Sequence, residues 1–278
     1  MNLRTINIKR MATVITITAI VLAAGLTSGC GSSMTGIIIA GSTSVQPYAE
    51  VLAEHYALLH PKSEIDVQGG GSSAGITAAM SGTADIGMSS RDLKDDELEL
   101  WSVEIAKDGL AIIVNPSNVV ENLTLEQIHD IYTAKISDWS ELGGHKAKIH
   151  IIAREEGSGT RSAFESLVMG KERITPRAII QSANGAVRQL VSGDINSIGF
   201  ISLGLVDNTV KTSKIDGIMP SKENVLNGSY NLHRPFLFVV NGEPSGLTKE
   251  FIDFTLSPEG QQILIEEGLI SLIGGTDN

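Results

Sequence analysis

Gly36-Ile37-Ile38-Ile39-Ala40-Gly41-Ser42-Thr43-Ser44 is the stretch that decides the fold class. A compact β-branched run between glycines suits a buried strand. It opens into a turn of hydroxyls, and then Val45, Tyr48, Leu52, Tyr56 and Leu59 recur at helical spacing until Pro61. The unit is strand, hydroxyl-rich turn, helix. It repeats in form at once: Ile65-Asp66-Val67-Gln68 as strand, Gly69-Gly70-Gly71-Ser72-Ser73 as turn and Ala74 to Met80 as helix. Ala84-Asp85-Ile86-Gly87-Met88 then runs into Ser89-Ser90-Arg91. Such alternation predicts an α/β fold, with parallel-dominated sheets and helices on both faces, whose ligands bind beyond the carboxyl ends of the strands.

Two further apolar runs set the domain plan. Leu110-Ala111-Ile112-Ile113-Val114 is closed by Asn115-Pro116, and Phe236-Leu237-Phe238-Val239-Val240-Asn241-Gly242 is its counterpart near the other end. A chain that leaves one lobe, builds a second and returns would use these as two hinge strands. Lobe one is then residues 31–114 and 236–278, and lobe two is residues 115–235. Lobe two carries its own alternation, with a helix over Leu125 to Tyr132, a strand over Ile149 to Ala153 and a helix after Gly159; helices from Leu247 to Glu267 complete lobe one. The sequence holds no internal repeat and no low-complexity segment.

With 278 residues, 42% hydrophobic and 19% charged, the chain has the profile of a globular protein. A net charge of −11 argues against a broad nucleic-acid surface, which needs clustered Lys and Arg. Any anion must therefore be held by local groups. At the N-terminus Lys9 and Arg10 precede an apolar run from Met11 to about Leu26, followed by Thr27-Ser28-Gly29-Cys30. That is the form of a signal peptide, residues 1–30, ending at the only cysteine. Cys30 is expected to carry a lipid anchor at the extracytoplasmic face of the cell membrane; a plain secretory peptide cut nearby is the alternative.

Four turns share one chemistry, small hydroxyl and glycine residues at strand-to-helix junctions: Ser42-Thr43-Ser44, Gly71-Ser72-Ser73, Ser89-Ser90-Arg91 and Arg154-Glu155-Glu156-Gly157-Ser158-Gly159-Thr160. Backbone N–H groups at helix starts, with glycine allowing close approach, make oxyanion cradles. Each turn alone also reads as an N-cap. Arg154 closes a strand and supplies a planar fork able to give two hydrogen bonds to one oxyanion, with Glu156 placed to orient it. Arg91 and Arg161 read as surface salt-bridge partners, and Asp85 as structural.

The strings Ala40 to Pro47, Val67 to Gly75, Ala84 to Arg91, Leu123 to Trp139 and Arg154 to Arg161 resemble the phosphate-binding proteins of phosphate ABC importers, a likeness spread from about residue 36 to the C-terminus. The resemblance implies a two-lobed, type II periplasmic-binding-protein-like fold with dehydrated phosphate in the cleft. The family's ligand contacts fall on Thr43, Ser44, Ser72, Arg154, Ser158, Gly159 and Thr160, with Glu156 behind the arginine, and Ser90 is expected to join them. Where some members have an aspartate, this chain has Ser90, which donates as well as accepts; discrimination against sulfate or arsenate is thereby in question. The implied partners are inorganic phosphate and the permease subunits of an ABC importer with a cytoplasmic ATPase behind them, for a monomer without cofactor, metal or nucleic acid.

Other functions remain to be weighed. Gly71-Ser72-Ser73-Ala74-Gly75 matches G-x-S-x-G between a strand and a helix, so a hydrolase would use Ser73 as nucleophile and His233 as base. The extra glycines before the serine and the lack of an oxyanion-hole sequence favour anion cradling instead. The six histidines show no H-E-x-x-H, and no Walker A string is present. A broader oxyanion-binding or sensory lipoprotein with the same fold is the third reading.

Overall fold

The structure is a computed structural model that describes residues 35–271. The signal segment, Cys30 and the last seven residues lie outside them. β1 (Thr35–Gly41), α1 (Gln46–Leu59), β2 (Ser63–Gly69), α2 (Ser72–Ser81) and β3 (Ile86–Ser89) form the two expected units, with β1 parallel to both β2 and β3. Next comes β4 (Trp101–Val114), followed by β5 (Asn122–Leu123) and α3 (Leu125–Tyr132). β6 (His150–Arg154) leads into α4 (Gly159–Phe164), which continues as a π turn over Glu165–Met169. β7 (Ile179–Gln181), α5 (Asn184–Gly193) and β8 (Ser197–Ser202) follow, then β9 (Lys211–Thr212), β10 (Lys214–Ile215) and α6 (Lys222–Leu226). The chain returns through β11 (His233–Val240) to α7 (Gly246–Leu256) and α8 (Pro258–Glu266).

The main sheet runs β2-β1-β3-β11-β4-β8-β6-β7. Its flanks are parallel, as βαβ units require. Its centre is antiparallel, because β4 carries the chain out and β11 brings it back. β4 is longer than its apolar run suggested. Trp101–Gly109 pairs with β11, whereas Leu110–Val114 pairs with β8. The extra half alternates Trp101, Val103 and Ile105 with Ser102, Glu104 and Ala106, a period-two pattern that is easily missed beside a continuous apolar run.

Two large cores form on either side of this crossing. Ile39, Leu52, Tyr56, Phe236, Phe238 and Phe251 belong to one, and Leu110, Ile112, Tyr132, Trp139, Phe164 and Phe200 to the other. In the second, Phe164 stacks on Phe200 with ring centroids 4.1 Å apart.

Three glycines let α2 lie against the sheet. A Cβ on Gly75 would fall on the Ala40 carbonyl and the Gly41 Cα, and one on Gly87 would meet the Gly75 carbonyl. The second glycine of the G-x-S-x-G string is thus explained by helix-to-strand packing. Gly75→Ala should lower the unfolding free energy by about 1–3 kcal/mol, the range for overpacking a close contact, as read from urea unfolding. An unchanged midpoint would refute the packing.

Candidate functional site

Five turns and one strand pair converge between the cores. After β1, the Ser42 hydroxyl donates to Ser90 Oγ (2.8 Å) and accepts from the Ser44 N–H (3.2 Å). Gly71 takes φ 90°, a value that glycine tolerates and L-residues rarely adopt, and places Ser72 as the first residue of α2. Ser72 Oγ accepts from the Ser90 N–H (3.0 Å) and lies 3.3 Å from Ser90 Oγ. The first three hydroxyl turns are therefore stitched together.

The fourth turn meets them from the other core. Gly157, also at φ 90°, offers its carbonyl to the Ser73 N–H (3.1 Å). Ser158 caps α4 by accepting from the Arg161 N–H (3.3 Å), so the N-cap reading holds for that hydroxyl. A Cβ on Gly159 would collide with Ser72 Oγ and Ser90 Oγ, so only glycine permits this approach. Thr160 Oγ1 lies 2.8 Å from Ser44 Oγ. Every ligand contact expected from the sequence is brought into this region, whereas Glu156 is not, and Cys30 lies outside the described residues.

Arg154 is 1% exposed. Its Nε and Nη2 donate to the Glu155 carboxylate (2.9 Å each), to the Gln181 and Ser182 carbonyls (3.2 Å each) and, from Nη2, to Thr43 Oγ1 (3.1 Å). The partner carboxylate is Glu155; Glu156, expected in that role, is exposed. β6 has ended at Arg154, and it is the next residue, Glu155, whose carboxylate turns back to the guanidinium. Nη1 of Arg154 is buried without an acceptor among the described residues.

Arg91 makes the expected salt bridge, but inside the protein. It is 5% exposed and grips Glu97 with two bonds of 2.7 and 2.8 Å, which hold that carboxyl below the usual range. Its Nη2 also donates to Ser73 Oγ (3.3 Å). Ser73 thus faces a guanidinium rather than a histidine base, and the nucleophile geometry is not formed. Arg161 pairs with Glu165 (2.8 Å), and Asp85 accepts from the Ile38 N–H (2.8 Å), a structural contact.

Three polar groups of this region escaped the sequence reading. Asn184, first residue of α5, donates through Nδ2 to Ser44 Oγ (3.0 Å) and Thr43 Oγ1 (3.4 Å). Arg234 on β11 stands opposite Asp108 on β4 in the strand register and bonds it at 3.0 and 3.2 Å. It also reaches Ser44 Oγ (3.1 Å). Burial pushes the Asp108 carboxyl up and the Arg234 guanidinium down, and their mutual attraction opposes both shifts. The available signal was a charged residue just before each apolar run, in Lys107-Asp108-Gly109 and His233-Arg234-Pro235.

Chemically, the site is rich in donors: hydroxyls from both sides, two buried arginines and an amide. Such a set suits a dehydrated oxyanion. Among the described residues no cluster of His, Cys, Asp and Glu could hold a metal.

The profile of the PBP superfamily domain matches residues 26–259. The phosphate-binding protein PstS of Bacillus subtilis is 32% identical over 243 residues, covering 84% of this chain and 80% of that one. That of Pseudomonas aeruginosa (strain PAO1) is 32% identical over 277 residues, covering 88% and 84%. Among solved structures, a phosphate ABC transporter substrate-binding protein with bound phosphate from Clostridium perfringens superposes with a TM-score of 0.83 at 47% identity, covering 86% of this chain and all of that one. An ABC-type phosphate transport receptor from Vibrio cholerae gives 0.72 at 41%, covering 84% and 99%. The two-lobed fold is thus of the type II periplasmic-binding-protein kind, and the chain belongs to the PBP superfamily, within its PstS phosphate-binding proteins.

Proposed function

We propose that this protein captures inorganic phosphate outside the cytoplasm and presents it to the permease of an ABC importer, with a cytoplasmic ATPase behind it. The carrying observation is Arg154, a buried cation whose Nη1 has no acceptor among the described residues, where hydroxyl turns from both cores meet. Phosphate would be held by Arg154 with Thr43, Ser44, Ser72, Ser90, Ser158, Gly159 and Thr160. The protein acts as a receptor, with no bond made or broken. Ser73 as a hydrolytic nucleophile finds no support, because its hydroxyl accepts from Arg91.

Capture proceeds by closure of two lobes about β4 and β11. Ala106 and Phe236 pack in one core and Leu110 and Leu232 in the other. That packing favours a lobe boundary at residues 107–110 on the way out, a few residues before the 114/115 division expected from the sequence, and at residues 232–236 on the return. Gly159 against Ser72 and Ser90, and the Gly157 carbonyl on the Ser73 N–H, are the contacts that would part when the lobes open.

Charged hydrogen bonds contribute about 1.5–3 kcal/mol each. Titration calorimetry on residues 31–278 should show phosphate binding at micromolar or tighter affinity, roughly −8 kcal/mol or better. Arg154→Ala should weaken it by at least about tenfold. A variant within about threefold of the parent places the anion elsewhere.

Retention at the membrane is assigned to Cys30. No helix among the described residues is long and apolar enough to cross a bilayer. Cys30→Ser should move the protein out of the membrane fraction while leaving phosphate affinity unchanged, and continued membrane retention of that variant would rule out the lipid anchor.

A further inference from the structure

Asn184 reaches across the cleft with both hydrogens of its amide. It opens α5, a helix whose Val187 and Val191 pack with Ala111, Ile113 and Ile152, so its backbone belongs with lobe two. The side chain is 1% exposed. Oδ1 accepts the Ser202 N–H (3.3 Å), which fixes the orientation of the amide and turns Nδ2 toward lobe one. There Nδ2 donates to Ser44 Oγ (3.0 Å) and to Thr43 Oγ1 (3.4 Å), two of the hydroxyls assigned to the anion.

A hydroxyl has one hydrogen and two acceptor sites, whereas guanidinium and amide NH2 groups only donate. Ser44 Oγ also receives Arg234 Nη2 (3.1 Å), so its acceptor sites are filled and its hydrogen goes to Thr160 Oγ1, 2.8 Å away. A line of hydrogen bonds thus leaves lobe two at Asn184, passes through Ser44 and re-enters lobe two at Thr160. Thr43 Oγ1 also receives Arg154 Nη2 (3.1 Å). With both of its acceptor sites taken, Thr43 has only its hydrogen left to offer a ligand. Opening of the lobes would carry the amide away with α5, while Thr43 and Ser44 stay with the turn after β1.

We propose that Asn184 is a positioning residue that latches the closed cleft: it ties the Thr43-Ser44 turn to α5 and, by filling an acceptor site on Thr43, leaves that hydroxyl turned to donate to phosphate. The inference rests on the phosphate reading above. Bonds made only once the lobes have met prolong the closed complex without quickening the first encounter, so the latch acts on dissociation. An amide does this without adding charge. A carboxylate in its place would instead accept the Thr43 and Ser44 hydrogens and set a negative charge one hydroxyl away from the anion.

Calorimetry and stopped-flow kinetics with inorganic phosphate on residues 31–278 separate affinity into its two rates. Asn184→Ala should raise koff by about tenfold or more and leave kon within about threefold of the parent. Asn184→Asp keeps the acceptor for the Ser202 N–H and loses only the donors, so a side chain that merely supports the start of α5 would tolerate it. Here it should weaken phosphate binding by at least about tenfold. Urea unfolding shows whether each variant is folded. A third readout needs no variant: in the parent protein the side-chain amide hydrogens of Asn184, followed by NMR, should exchange with water at least about tenfold more slowly when phosphate is bound. Either folded variant within about threefold of the parent in affinity overturns the inference. So does a loss carried by kon alone, or amide exchange that phosphate leaves unchanged. A parent protein that binds no phosphate overturns the phosphate reading itself, and this inference with it.

Discussion

Withdrawing a guanidinium from water costs several kcal/mol unless its donors find acceptors, and Arg154 is withdrawn almost completely. Glu155, two main-chain carbonyls and Thr43 satisfy Nε and Nη2. Nη1 is left without an acceptor among the described residues. A protein with net charge −11 has no general field to attract an anion, so this one local group, with the hydroxyls around it, has to do so. The rest of the cleft follows from that constraint. Hydroxyls serve where carboxylates would repel, and the carboxylates that are present, Glu155, Glu97 and Asp108, are each spent on an arginine.

Bringing turns from two cores within hydrogen-bond distance is a problem of backbone thickness, and glycine solves it locally. Gly159 faces Ser72 and Ser90, and Gly71 faces the Gly157 carbonyl. Further back, Gly75 settles α2 on β1, which fixes the height at which Ser72 emerges. Behind these turns the Asp108–Arg234 pair bolts β4 to β11 where the chain crosses from one core to the other. A buried pair of this kind is weak evidence for stability by itself. Its placement gives it another use, since the same guanidinium that ties the two strands also touches Ser44. The strand crossing and the hydroxyl cluster are thereby joined through a single side chain.

Much of this was legible in the residues. The β-branched run at Ile37–Ile39, the helical spacing from Val45 to Leu59 and the hydroxyl turn between them mark a strand, a helix and a polar junction, because those local patterns are set by period and turn chemistry. Arg154 stood out for the same reason, a charge at the end of an apolar strand. What could not be read depends on tertiary approach. Which of two adjacent glutamates answers Arg154 is decided by the path of the turn, and Glu155 and Glu156 are equivalent in sequence. Asp108 and Arg234 are 126 residues apart and meet only through antiparallel register. Asn184, first residue of a helix, meets Ser44 only through the tertiary fold, 140 residues away. The G-x-S-x-G string misleads in the opposite sense: both glycines are required, one for positive φ and one for packing, and neither reason concerns catalysis.

The most direct test of the central claim, that the unpaired donor of Arg154 marks the place of a dehydrated anion, is a crystal structure of the mature chain grown with phosphate. The account predicts tetrahedral density in direct contact with Arg154 Nη1 at about 2.7–2.9 Å, shared with Ser72 and Thr160 and with no water between. Density elsewhere, with Arg154 Nη1 turned to a protein acceptor, would contradict it.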